Sequence, residues 1–213
     1  MLWSHDEARR FLRYAGEQDA DMGTLVRLAL DSGARLGELL ALTWGDIDLT
    51  RQTVRLRRSV SAKRLPGDDR MLRFDWPKNY KARTLDLAAS TVGALRQLRE
   101  RQVAEDVADV GQLVFRRPTT LGFQPWRPDV TTHVFQRLAS EANVPVIPFH
   151  YLRHACGSWL LGAGIGVVGV SERLGQLESI ADALCLRSRD PRPSAGACAY
   201  DRCCAQVGGT ILT

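Results

Sequence analysis

Apolar residues recur along this chain with two periods, helical towards both ends of the patterned region and alternating in its middle. Ser4 followed three residues later by Glu7 is a capping-box signature, and Ala8, Phe11, Leu12 and Ala15 then fall on one helical face. Residues 22–30 are apolar on nearly every side and predict a buried helix, which Ser32-Gly33 ends; a further helix is predicted over 34–43. Residues 53–60 largely alternate apolar and polar, a strand with one buried face. Leu65-Pro66-Gly67-Asp68-Asp69 carries turn chemistry, and two more strands over 71–76 and 84–87 complete a small three-stranded antiparallel sheet. Residues 90–107 predict an amphipathic helix with Val92, Leu95, Leu98 and Val103 inward. A loop comes next over 118–128, then helices over 130–142, 150–161 and 167–174. The expected fold is α+β, mainly α, with helices around a small three-stranded antiparallel sheet. One domain is expected over residues 1–180. Beyond about Ala181 the periodicity disappears, so 181–213 is expected to be an aberrant, poorly ordered tail.

Composition changes that picture modestly. The chain has 213 residues, 45% hydrophobic and 25% charged, which suits one ordinary domain. No stretch approaches the roughly 18 apolar residues of a membrane span, and Met1-Leu2-Trp3-Ser4-His5-Asp6-Glu7 has neither the basic start nor the apolar run of a secretory signal. A cytoplasmic protein with no membrane partner is expected. The formal charge is +5, and of the 29 cationic residues only Lys63, Lys78 and Lys81 are lysines. Guanidinium forks suit phosphate oxygens, but a GC-rich genome also favours arginine codons, so charge alone decides little. Cys156 stands alone in the body while Cys185, Cys198, Cys203 and Cys204 crowd the tail without a Cys-x-x-Cys pair. The expected cytoplasmic setting argues against a disulfide framework, and the spacing argues against a zinc site.

Three segments could carry chemistry. In Ser32-Gly33-Ala34-Arg35-Leu36-Gly37-Glu38-Leu39, Arg35 opens a helix with Glu38 able to brace it. Taken alone this is the spacing of an ordinary surface pair worth a few tenths of a kcal/mol. In His150-Tyr151-Leu152-Arg153-His154, His150 and Arg153 share a helical face, and His150 and His154 lie one turn apart. A metal pair is disfavoured there, because an arginine sits between the imidazoles and the HExxH glutamate is missing. An imidazole and a guanidinium on one face suit an anion, or a satisfied structural pair. Lys78, Lys81 and Arg83 lie within six residues, either a solvated hairpin rim or a probe into a DNA groove.

Taken together, these segments resemble the catalytic domain of the tyrosine recombinases, the phage-type integrases. The likeness rests on residues 33–39 with Trp44-Gly45-Asp46-Ile47-Asp48, then a hairpin lysine, then His150-Tyr151-Leu152-Arg153-His154 with residues 160–164, then residues 170–175, and it spans about 3 to 176. The resemblance implies site-specific recombination or integration by DNA strand breakage and rejoining, with double-stranded DNA and other recombinase protomers as partners and with no metal or small-molecule cofactor. It implies that Arg35 and Arg153 hold the non-bridging oxygens of the scissile phosphate and that His150 joins them. Lys78 would be the general acid for the leaving 5′-oxygen, with Lys81 as runner-up. Such fixed donors stabilise charge on a pentacoordinate phosphorus, while a tyrosine attacks to form a covalent 3′-phosphotyrosine.

Two positions depart from that pattern. The family's histidine after Leu174-Gly175 is Gln176, which donates a hydrogen bond but carries no proton. Where the nucleophile is expected, nine or ten residues later, stand Cys185, Leu186 and Arg187, with Leu186 at the ten-residue position. Tyr200, the tyrosine further downstream, lies in a segment without helical pattern. The chain also begins at the catalytic domain, so the helical N-terminal domain that closes a clamp on DNA is expected to be absent. The alternative reading is a non-catalytic DNA-binding remnant of an integrase. A one-base change of reading frame near codon 176 would account for both departures, the crowded cysteines and the lost periodicity. With suitable synonymous codons, residues 185–191 read one base later give Val-Tyr-Ala-His-Val-Ile. Nucleotide sequence across codon 176 is expected to restore histidine and, ten positions on, tyrosine when one base is removed; a sequence that cannot do so removes this account.

Overall fold

The structure, a computed structural model, describes residues 2–65, 68–75, 82–104, 111–120 and 122–175. Helix α1 (His5–Gln18) starts at the capping box: Glu7 N–H donates to Ser4 Oγ (3.2 Å) and Ser4 N–H to Glu7 Oε2 (2.7 Å). Asp19 ends α1 and begins α2 (Ala20–Ser32), its carboxylate accepting from Met22 N–H at 2.9 Å. Its buried residues include Met22, Leu25, Val26, Leu28, Ala29 and Leu30, and α2 packs against α1, against α4 (Ala89–Ala104) and against α6 (Tyr151–Gly162). Each fully buried large side chain contributes about 1.5–3 kcal/mol, so α2 is the core post on which the other helices rest.

The N-terminus is drawn into that core through aromatic rings. Trp3 is buried, its ring centroid 5.0 Å from Phe11 and 5.4 Å from Phe135 of α5 (Pro128–Glu141), and its Nε1–H donates to Pro145 O at 2.7 Å. Phe135 in turn meets Phe149 edge-on at 5.2 Å. Offset and tilted pairs of this kind add about 0.5–1.5 kcal/mol beyond the area they bury. They hold α5 and the approach to α6 against α1.

At the end of α2, Gly33 takes a left-handed conformation, φ +62°. The chain turns there into α3 (Leu36–Leu40), shorter than the helix expected over 34–43 because Ala41 already closes it. A 3-10 turn, Trp44–Asp46, then leads into the sheet.

Helices around a small antiparallel sheet are present as expected, but the sheet's membership differs. The three-stranded sheet has the order β1 (Ile47–Asp48), β2 (Thr53–Leu56), β5 (Arg83–Asp86), with Val54 opposite both Ile47 and Leu85. The strand expected over 53–60 breaks at Arg57-Arg58, and β3 (Ser59–Leu65) pairs instead with β4 (Asp68–Asp75) in a separate ladder. The break has a local cause. Both arginines reach the same carboxylate of buried Asp46, Arg57 Nε at 2.5 Å and Arg58 Nη2 at 3.0 Å, so these neighbours cannot alternate across a pleat.

Two further expectations are corrected. Residues 118–128 are not a plain loop: β6 (Arg116–Thr119) and β7 (Gly122–Pro125) form a two-stranded hairpin. Pro118 and Pro125 argue against strands in sequence, yet an isolated two-stranded ladder tolerates them because its outer edges need no partner. On α4, Val92, Leu95 and Leu98 are buried as expected, but Val103 is 55% exposed. The inward position belongs to Gln102, whose Oε1 accepts from Trp44 Nε1–H and whose Nε2–H donates to Val114 O, both at 2.9 Å. The expected turn at Pro66-Gly67, the end of the predicted 71–76 strand, the end of the predicted 90–107 helix and the tail 181–213 lie outside the described residues.

Helix α3 lies directly on β3. A Cβ added to Gly37 would stand 2.5 Å from the carbonyl oxygen of Val60 and 2.5 Å from Ser59 Oγ. Gly37→Ala gains about 1 kcal/mol of helix propensity, while pushing a methyl into backbone costs about 1–3 kcal/mol. The expected result is a net loss of roughly 1 kcal/mol, seen as a lower urea midpoint at unchanged slope.

Candidate functional site

The site is built where three element ends meet: the α2–α3 turn, the start of β5, and the end of α7 (Val167–Leu174). Ser32 Oγ donates to Leu28 O (2.6 Å) and accepts from Ala34 N–H (3.2 Å), fixing the turn around Gly33. Arg35 is thereby placed at the N-cap of α3 in extended backbone, φ −72° and ψ 149°. Its own N–H donates to Glu38 Oε2 at 2.8 Å, while its guanidinium lies a long 3.5 Å from Glu38 Oε1. The Arg35 side chain is 37% exposed.

Arg153, on the first turn of α6, is buried. Its Nη1–H donates to Gly33 O at 2.8 Å and its Nη2–H to Leu174 O at 2.5 Å, so it clasps both helix ends that border the site. Such carbonyls have no partner within their own helices, and a cation at a helix C-terminus also meets the negative end of its dipole. Burial, and then the nearby charge of Arg35, push Arg153 down to about 10; Glu38 opposes the shift and Arg83 adds to it. It therefore stays charged at neutral pH. Arg35 and Arg153, predicted from distant segments of the sequence, are brought within electrostatic reach of each other.

His150 sits one residue before α6 and is exposed, its carbonyl accepting from Arg153 N–H at 3.2 Å. Its ring meets Tyr151 edge-on at 4.7 Å and His154 at 5.8 Å. It shares a helical turn with Arg153, as the spacing implies. Lys78, Lys81, Gln176, Leu186 and Tyr200 lie outside the described residues. Among the described residues no group of three or more His, Cys, Asp or Glu side chains has the arrangement of a metal site.

Sequence reasoning missed the partner of Glu38. That carboxylate is 8% exposed, and Arg83 of β5 grips it with both arms, Nη1 to Oε1 at 3.0 Å and Nη2 to Oε2 at 2.8 Å. Arg83 Nε–H also donates to Arg173 O at 3.2 Å. Arg173 answers from α7, its Nη2 donating to Asp86 O (2.8 Å) and Asp31 O (3.0 Å) beside the Asp31 carboxylate. A signal was available in Leu36-Gly37-Glu38-Leu39-Leu40, where a glutamate among apolar neighbours on a short helix is headed for burial and must find a cation. Nothing in spacing said that the cation would come from residue 83.

The arrangement has a chemical consequence. Among the described residues, Arg35, Arg83 and Arg153 surround one carboxylate, Glu38, so the cluster carries more positive than negative charge in a partly dry place. An anion presented to the side where the Arg35 side chain is 37% exposed would be attracted by that charge.

The model of the phage integrase family matches residues 3–179. A tyrosine recombinase XerC-like protein of Caldanaerobacter subterraneus subsp. tengcongensis is 27% identical over 168 residues, covering 71% of this chain and 41% of its own. Of solved structures, that of XerA recombinase superposes with a TM-score of 0.68 at 22% identity, over 86% of this chain and 58% of that one. The Tn1549 transposon integrase in complex with transposon right end DNA gives 0.73 at 17%, over 90% and 62%. These likenesses show the fold, and the chain spans about two fifths of the relative and about three fifths of the two solved chains.

Glu38 yields a pH test. Burial pushes its carboxyl up, but the Arg83 bonds and charge, with the Arg35 N–H and charge, hold it below its ordinary value near 4.5. A depressed carboxyl contributes stability in full above its unfolded value and loses it as pH falls through the folded one. Denaturation of wild type and Glu38→Gln across pH is therefore expected to show a gap that is widest near neutrality and closes below about pH 4.5. A gap independent of pH would contradict the pairing.

Proposed function

The chain belongs to the phage integrase family, and from that premise we propose that it holds duplex DNA by a single phosphodiester at the Arg35–Arg153 cluster, as the catalytic domain of a site-specific recombinase. Arg35 and Arg153 take the two non-bridging oxygens and His150 joins them from the same end of α6. Lys78 delivers the proton to the leaving 5′-oxygen, with Lys81 in reserve. Gln176 adds a hydrogen bond where the family's histidine stands but moves no proton. The observation that carries this reading is the excess of guanidinium over carboxylate at one partly buried point, assembled from sequence positions more than a hundred residues apart.

In the family's reaction a tyrosine oxygen bonds to phosphorus while the bond to the 5′-oxygen breaks and that oxygen takes a proton. One ester replaces another, so the energy for rejoining is kept. At the expected position this chain has Leu186, whose hydrocarbon side chain has no lone pair with which to attack. We therefore propose binding without cleavage by the chain as it stands, the protein occupying recombination sites alone or beside other recombinase protomers. Tyr200 is the candidate that would overturn this.

Fluorescence anisotropy with a short duplex is expected to show binding that weakens steeply with salt. Arg35→Ala and Arg153→Ala should each weaken it roughly 10- to 100-fold, the worth of a charge-assisted contact. Arg35→Ala is the cleaner of the two, because Arg153 also clasps Gly33 and Leu174. Affinity unchanged in both variants would end the phosphate reading. A nicked suicide duplex should give no covalent protein–DNA adduct, and an adduct lost in Tyr200→Phe would show that cleavage persists through that residue.

A further inference from the structure

Apart from the Glu38 cluster, a second buried carboxylate gathers two guanidiniums. The Asp46 side chain is 2% exposed. Its Oδ2 accepts from Thr43 N–H (3.0 Å), from Thr43 Oγ1–H (2.7 Å) and from Arg58 Nη2–H (3.0 Å), and its Oδ1 accepts from Arg57 Nε–H at 2.5 Å. Burial pushes the Asp46 carboxyl up, but the Thr43 bonds, then the Arg57 bond and charge, hold it below its ordinary value, so it is ionised at neutral pH. Two cations thus share one anion. Arg58 is the anchor, 21% exposed and donating also to Thr43 Oγ1 at 3.2 Å. Arg57 is 38% exposed, and among the described residues its Nη1 and Nη2 meet no acceptor. The carboxylate further along the β3–β4 ladder, Asp75 opposite Ser59, is engaged by Ser61 Oγ–H at 2.6 Å and Arg73 Nε at 3.2 Å.

Strand register places this pair beside the phosphate-holding cluster. Leu56 lies opposite Arg83 in the β2–β5 ladder, and Arg57 follows it directly. Opposed Cα atoms in an antiparallel pair are about 4.5–5.5 Å apart, and the next Cα along a strand is about 3.8 Å further on. The Arg57 backbone therefore stands within roughly 9 Å of that of Arg83, whose guanidinium grips Glu38 beside Arg35. Each strand of a duplex presents a charge about every 3.4 Å along its axis. A duplex held at one phosphate by Arg35 and Arg153 brings others within reach of a cation that close.

Resting on the phosphate-holding role above, we propose that Arg57, steadied on Asp46, is a second DNA-backbone site that takes a phosphodiester other than the one held by Arg35 and Arg153. Keeping Asp46 buried does not require Arg57. Thr43 and Arg58 already give Oδ2 three donors and supply the carboxylate with its counter-charge. The second guanidinium is surplus to that need, and a surplus cation next to a phosphate path attracts the backbone. With its Nε–H held by Asp46, the Arg57 side chain is fixed before DNA arrives, so little rotamer freedom is lost on binding. Its remaining donors suit the planar recognition of phosphate oxygens.

Anisotropy with a short duplex over about 50 to 200 mM salt tests this site. Arg57→Gln is expected to bind roughly 5-fold more weakly, the size of a half-exposed ionic contact. Its salt slope should flatten by about one contact, while Arg57→Lys, which keeps a cation there, should keep the slope. Because the two sites take different phosphates, the losses of Arg57→Gln and Arg35→Ala should multiply in the double variant. The urea midpoint of Arg57→Gln should stay near that of wild type, since Thr43 and Arg58 still hold Asp46. A wild-type slope in Arg57→Gln, a loss that vanishes once Arg35 is alanine, or a slope flattened equally in Arg57→Lys overturns the second site. Should Arg57→Gln fail to fold, the wild-type chain decides: bound duplex is expected to shield Arg57 from phenylglyoxal at low salt, read by mass spectrometry. Equal modification with and without duplex overturns the site. If Arg35→Ala weakens binding while Arg57→Gln binds like wild type, this inference fails and the phosphate reading stands. If Arg35→Ala and Arg153→Ala both bind like wild type, the phosphate reading itself fails, and the second site with it.

Discussion

A carboxylate 8% exposed, ringed by arginines from three distant segments, organises the functional end of this molecule. Burying Glu38 is expensive, and its attraction to Arg83 offsets that expense only because the guanidinium meets both oxygens at hydrogen-bonding distance. The remaining donors of the surrounding arginines then find work on backbone carbonyls: Arg153 on Gly33 and Leu174, Arg83 on Arg173, Arg173 on Asp31 and Asp86. Several of these carbonyls close helices and have no acceptor role within them. One set of contacts therefore meets two separate needs, the neutralisation of buried charge and the capping of α2 and α7.

The core supplies the fixed frame for that ring. Helix α2 is buried along most of its length and carries the Gly33 turn at its end. Trp3, Phe11, Phe135 and Phe149 lock α1, α5 and the approach to α6 together, so the first turn of α6 presents Arg153 from a rigid base. A second buried carboxylate, Asp46, does a comparable job nearer the sheet. It accepts from Thr43 and binds both Arg57 and Arg58, which sends β3 out of the three-stranded sheet and onto α3. In both places a short acidic side chain inside the molecule decides where a strand begins or ends.

Much of this was legible in the sequence, for identifiable reasons. The capping box at Ser4, the buried α2, the break at Gly33 and the helix 167–174 all derive from local chemistry and apolar period, and all are present. The pairing of the Arg35 segment with the Arg153 segment was legible only through resemblance, since alone the first reads as an ordinary surface pair and the second as either an anion site or a satisfied structural pair. The errors share a cause. Val103 looked inward because Gln102 looked polar, but Gln102 is buried and satisfied by Trp44 and Val114. The strand over 53–60 looked continuous because its alternation survives past Arg57, whereas the tertiary pull of Asp46 ends it. Arg83 looked like a rim cation because its partner lies 45 positions away. Local pattern reports which side chains prefer water, and it is silent on which polar groups will find partners out of water.

Under the proposed function, holding a phosphate and cutting it make different demands on a protein, and the two demands fall on different stretches of this chain. The arginine cluster draws on residues 33–38, 83, 153 and 173–175, all within the region that matches the family and all tied to the hydrophobic core. Among the described residues, its charge excess comes from Arg35, Arg83 and Arg153 around Glu38. The nucleophile must come from elsewhere, and the expected position offers only the aliphatic Leu186. Loss of an attacking oxygen removes the covalent step without removing the electrostatic attraction for a diester, because the attraction was never supplied by the tyrosine. The arginine cluster is therefore set by the folded body of the chain, and the buried Glu38–Arg83 pair is the contact at its centre.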